Sequence, residues 1–335
     1  MIARAFFHAV LAGIATVIAV AVGAVITFTF QNERLAADLA ETAVLNFNGI
    51  LVGAAGFGLL AFVHYSGRRM FALLNNVLDV PDEYAADYAR YLDRVSSWRW
   101  WLLIVTPLSI VGVLVLWRAG FPFYGFANFY LAVGVSSIYV VASSILASYV
   151  FTILFFQYIE EHSGYGVRPR IRLKCSFASI DLQTIDSFFI VSAAFGVLAI
   201  YLGFRGTLTA NFTSTTEAFR RMMILPVVFY LPATLCYSFY PRHVLRQVTE
   251  CDTLELVEAF EKQTENGLAG EGLQAKLELR ALVLEIKEKM LNERRAMPLI
   301  TLKDAPSLTM SLIILMQFIT QNDAVVAEFL KRFFK

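Results

Sequence analysis

Between Phe123 and Gln157 the chain runs for about 35 residues without an Asp, Glu, Lys, Arg or Pro, well beyond the ~20 apolar residues that carry a helix across a bilayer. A run of that length predicts a membrane helix. At helical spacing Gly134, Ser137, Val141, Ser144, Ser148 and Thr152 share one stripe, with Leu, Ile, Val, Phe and Tyr around the rest. Lipid has no use for a small, hydroxyl-bearing face. Such a face either meets another helix closely or lines water in a pore, and the spacing alone leaves both open.

The rest of the composition agrees with a membrane chain. Hydrophobic residues make up 58% and charged residues 16%, against about 25% charged in a soluble domain. A formal net charge of +1 gives no overall attraction to nucleic acid, so none is expected as a partner. The odd and widely spaced cysteines, Cys175, Cys236 and Cys251, lack a CxxC and predict thiols rather than a disulfide framework. The four histidines, His8, His64, His162 and His243, have no metal-ligand spacing. No metal and no cofactor are expected.

Six spans are predicted, near residues 5–30, 49–65, 100–117, 123–157, 187–204 and 222–240. The first is too long for a signal-peptide core. Trp98, Trp100 and Trp101 at one end of the third span, and Trp117 at the other, suit the two headgroup levels. The sixth contains Pro226 and Pro232, each without a backbone donor, which predicts a bend: a functional hinge or a packing kink.

Between the second and third spans, Pro81-Asp82-Glu83 predicts a helix start, followed by Tyr84, Tyr88, Tyr91 and Val95 on one face. Between the fourth and fifth, Arg168, Arg170, Arg172 and Lys174 alternate with Pro169, Ile171 and Leu173, an extended segment with one basic face. Its chemistry fits anionic lipid headgroups or another phosphate-bearing ligand. Lys and Arg concentrate in these two loops and in the tail. Both termini are therefore expected in the cytosol, in a plasma or inner membrane.

The transmembrane domain is placed at 1–242 and a cytosolic helical tail at 243–335. In the tail, Asp252 with Glu255 reads as a capping box opening a short helix. A second helix carries Leu279, Leu282 and Ile286 on an apolar stripe that needs an oligomer contact or a cytosolic protein partner. Leu308–Thr320 is apolar but only ~13 residues, short of a span.

GxxxxGK[ST], HExxH, GxSxG and CxxC do not occur, so the usual carriers of hydrolysis are missing and no enzyme is expected. No ionisable residue sits in the middle of a predicted span, unlike proton relays and many ion-coupled carriers. The sequence therefore predicts an all-α polytopic membrane protein of about six spans with a cytosolic helical hairpin tail. The leading functional expectation is a homo-oligomeric, channel-like or pore-forming subunit gated or assembled through its tail. The alternative is a non-catalytic anchor or sensor that recruits a cytosolic partner.

Overall fold

A computed structural model describes residues 55–64, 67–118, 126–164, 166–174, 180–209, 226–267 and 300–321, with isolated helical positions at 7–18 and 278–288; for 126–139 it describes the backbone alone. The described chain is almost entirely helical. In order it forms α1 (55–64), α2 (67–77), α3 (Asp82–Ser96), α4 (Trp98–Arg118), α5 (Phe126–Glu161), α6 (Ile180–Thr209), a π-helical turn (Pro226–Tyr230), α7 (Leu231–Gly267), a 3₁₀ turn (Leu302–Asp304) and α8 (Ala305–Gln321). Two short strands, β1 (Leu78–Asp79) and β2 (Arg172–Leu173), pair antiparallel, with Leu78 opposite Leu173 and Asp79 opposite Arg172.

The core forms where α5 meets α4 on one flank and α7 on the other, with α6 against α7. Phe62, Phe155, Phe156, Phe188 and Phe189 are buried there, and Tyr149 stacks on Tyr237 at 4.2 Å between ring centres. The tyrosine face of α3 packs on the far end of α5: Tyr91 stacks on Tyr158, and the Tyr88 hydroxyl donates to Asn75 Oδ1 at 2.7 Å. Pro81 immediately precedes α3, and Asp82 and Glu83 occupy its first turn, where acids suit the positive helix end.

Among the described residues, three helices are long and apolar enough to cross a membrane: Val140–Glu161, Ile180–Leu202 and Leu302–Thr320. This is fewer than the six expected, and the third is not one of those six. The count from Leu308 was too short because the helical path begins upstream, at Leu302. Pro306 lies in the first turn of α8, where its missing N–H would have no partner in any case. The expected first span is helical at Phe7, Val10, Leu11, Ile14, Ala15 and Ile18, and the second at 55–64.

A second correction concerns α7. Its helix runs on past Pro241 to Gly267, so Asp252 and Glu255 stand in mid-helix rather than capping a new one. Tyr237, Ser238, Arg242, Val244 and Leu245 are all buried around the proline, and that packing holds the helix across the lost hydrogen bond.

Candidate functional site

The hydroxyl stripe of α5 faces inward. Ser144, Ser148 and Thr152 are buried, as is Val141 one turn before them. The Ser144 hydroxyl donates to the Val140 carbonyl at 2.7 Å and the Ser148 hydroxyl to the Ser144 carbonyl at 3.1 Å. Both are therefore satisfied within their own helix. Gly134 and Ser137 lie outside the residues whose side chains are described. The neighbours come close: a Cβ on Gly56 of α1 would lie 3.3 Å from Val141, and one on Gly196 of α6 would lie 2.8 Å from Thr234 Cγ2 and 2.9 Å from Tyr149 Oη. Beside Ser148, Thr152 and Tyr237 there is a cavity of about 20 Å³, with His64, Arg68 and Trp101 also in its wall. That is room for about one water molecule.

Pro226 opens the π-helical turn and Pro232 stands exposed at the start of α7. The Thr234 hydroxyl donates to the Tyr230 carbonyl at 2.7 Å across the junction, so local side chains resatisfy the irregular backbone. Val227 and Leu231 pack there with Val197 and Ile314. The two prolines thus bracket a packed π-helical junction.

A layer of ionic groups joins the start of α6, α7 just past Pro241 and the end of α5. Arg242 of α7 donates through Nε to Asp186 Oδ1 of α6 at 2.6 Å, through Nη1 to Asp304 Oδ1 at 2.8 Å and through Nη2 to Asp304 Oδ2 at 3.2 Å. The Thr301 N–H and hydroxyl both donate to Asp304 Oδ2. At the end of α5, Glu160 accepts from the Tyr240 hydroxyl. One guanidinium therefore joins α6, α7 and the start of α8.

The basic segment divides in two. Arg170 is 1% exposed and donates to Asp252 at 2.6 Å, with Glu255 at 3.1 Å. Arg172 bonds Glu255 at 3.2 Å, and the Leu173 N–H donates to Asp252 Oδ2 at 2.8 Å. Arg168 and Lys174 face solvent, the latter 3.8 Å from Asp79. Ile171 is buried next to Arg170, so strict alternation fails: the carboxylates on α7 draw one arginine inward. Burial pushes the Asp252 carboxyl above its ordinary 3.8, and the Glu255 charge adds to this; the Leu173 N–H, Arg170 and Arg172 pull the other way. Nearby, Gly166 adopts φ +86°, so the Gly164–Gly166 stretch ends in a glycine turn.

In the tail, Leu282 is 51% exposed and Val283 beside it is buried; Leu279 and Ile286 lie outside the described residues. Sequence reading missed Arg242, Asp186 and Asp304. The first two stand at span ends, where a charge reads as an ordinary interfacial group, and nothing local marks their partners. No known protein family, curated protein or solved structure matches the chain.

Proposed function

We propose that this chain is a non-catalytic membrane scaffold that presents a docking platform to a cytosolic partner. The observation that carries the reading is the state of the α5 stripe: Ser144, Ser148 and Thr152 are buried, and the two serine hydroxyls are bonded to their own helix. Small residues used this way let helices approach closely, and the cavity described beside them has room for about one water. The platform is α3 with the β1–β2 pair and the extension of α7, tied together by Arg170, Arg172, Asp252 and Glu255. The bases in the loops around α3 and β2 support a cytosolic setting for this side, and the reading takes the membrane to be a plasma or inner membrane. Leu282, exposed on its helix, belongs to the surface offered to the partner or to a second copy.

The channel reading is tested directly. Purified protein in liposomes should pass no ions above empty liposomes, and Ser144→Leu should break monodisperse assembly by forcing helices apart. Wild-type flux that changes in an assembled Ser144→Asn variant would replace the scaffold with a pore between or within subunits.

A further inference from the structure

Helix α8 is inside out for a helix surrounded by water. Its inner face carries Ser307 and Ser311, both 5% exposed or less, together with Ile314. The Ser311 hydroxyl donates to the Ser307 carbonyl at 2.7 Å. Its outer face carries Leu312, Ile313, Leu315, Met316 and Ile319, between 40% and 63% exposed. No charged residue occurs from Ala305 to Gln321. An amphipathic helix on a soluble domain shows the reverse, with hydroxyls out and large aliphatic groups in. Small and hydroxyl residues at the helix contact with bulky apolar residues outside are the pattern of a helix in lipid.

The depth of α8 is fixed by its neighbours. Asp304 lies level with Asp186, in the second turn of α6, and with Arg242, just past Pro241 inside α7. Roughly ten residues onward in α6 and α8, and as many back in α7, about 15 Å at 1.5 Å per residue, Ile314 meets Val197 and Leu231. Met310 and Phe318 join the same cluster with Ile200 and Tyr201. Helix α8 therefore runs beside α6 in the same direction, and α6 contains the apolar stretch Ile180–Leu202. From Asp304 to Gln321 the rise is about 25 Å, close to the ~30 Å of a hydrocarbon core.

We propose that Ala305–Gln321 crosses the bilayer against α6. The Asp304–Arg242–Asp186 cluster holds it at one surface, its Leu312–Met316–Ile319 face contacts acyl chains, and Thr320 stands at the surface opposite Lys303. The path is continuous with the membrane contact of α6 and depends only on membrane embedding, not on the scaffold reading. A tail lying wholly on one side after residue 242 does not accommodate it.

The test uses full-length protein with Cys175, Cys236 and Cys251 replaced by Ala, and single reporters at Lys303→Cys, Thr320→Cys and, as side reference, Lys262→Cys. In sealed vesicles an impermeant maleimide should label Lys262→Cys and Lys303→Cys from the same side. Labelling of Thr320→Cys from that side should fall to background, and appear from the other. Labelling of all three from one side overturns the crossing. Independently, a spin label at Met316→Cys in liposomes should collide readily with oxygen and poorly with a water-soluble nickel chelate. High nickel collision would mean a water-facing helix, and low collision with both a protein-covered one, a second copy or a soluble partner; either result overturns the lipid contact. Ile313→Cys serves the same readout if Met316→Cys does not give monodisperse protein.

Discussion

Arg242 and Asp304 meet as a bidentate pair, Nη1 on Oδ1 at 2.8 Å and Nη2 on Oδ2 at 3.2 Å, with both side chains nearly closed to solvent. Asp186 takes the third donor, Nε, from a half-buried position. Removing one partner of a buried pair leaves a charge without compensation, which costs about 3–5 kcal/mol. Asp304→Ala should fall near the lower end, about 3 kcal/mol, because Asp186 still faces the guanidinium. Arg242→Met combined with Asp304→Leu should cost clearly less than Asp304→Ala alone, since both buried charges are then gone. Chemical unfolding in detergent micelles measures all three. A double variant worse than the single one would show that the pair is itself the source of stability.

The carboxyl of Asp252 gives a pH-dependent prediction. Burial holds it above its ordinary 3.8, so the folded state binds this proton more tightly than the unfolded chain. Between the ordinary value and the raised one, the folded state carries more bound protons, and stability must fall as pH rises through that window. Asp252→Asn cannot titrate. The stability of wild type minus that of Asp252→Asn should therefore decline as pH rises from about 3.8. A difference that grows over the same range would mean that the Arg170 pair at 2.6 Å outweighs burial.

The exposed and buried bases of the 168–174 segment should separate in experiment. Arg168 and Lys174 are open to solvent, and a juxtamembrane base contributes about 1 kcal/mol of attraction to an anionic surface. The double change Arg168→Ala with Lys174→Ala should strip anionic lipid from the purified protein, read by native mass spectrometry, and move stability by no more than about 0.5 kcal/mol. Arg170→Ala should do the opposite. It leaves the part-buried Asp252 and Glu255 beside each other, so thermal stability drops while retained lipid hardly changes. Equal lipid loss from both variants would make Arg170 a lipid ligand as well.

What the sequence made legible was periodic, and what it hid was long-range. Within the charge-free run Ser144, Ser148 and Thr152, four residues apart, fall on a buried helix face, as periodicity requires. The Tyr84–Tyr88–Tyr91 face follows the same rule and packs on Tyr158. Two local rules failed for physical reasons. Proline as a helix terminator lost to packing around Pro241, and alternation at 168–174 lost to the carboxylates that pull Arg170 inward. The ion clusters had no local signature, because Arg242 finds Asp304 across 62 positions and Arg170 finds Asp252 across 82. The length of α8 stayed hidden because Asp304 and Pro306 read as a boundary, although Asp304 is the residue that ties the helix down.

Gly196 sets how closely α6 approaches α5 and α7. A Cβ there would stand 2.8 Å from Thr234 Cγ2 and 2.9 Å from Tyr149 Oη, closer than real Cβ contacts come. Neither neighbour gives way easily. The Thr234 hydroxyl is committed to the Tyr230 carbonyl, and Tyr149 is stacked on Tyr237. Overpacking a tight core costs about 1–3 kcal/mol, so Gly196→Ala should lower stability by that amount in micelle unfolding. Thr234→Ser removes the clashing methyl and keeps the hydroxyl donor. Tyr149→Phe removes the second clashing atom and keeps the stacked ring. Either change should recover part of the loss when combined with Gly196→Ala, by more than the two single effects would sum to, because the sites share one contact. Strict additivity would place the damage elsewhere on α6, and an undiminished Gly196→Ala protein would mean that these helices stand further apart than their contacts here require.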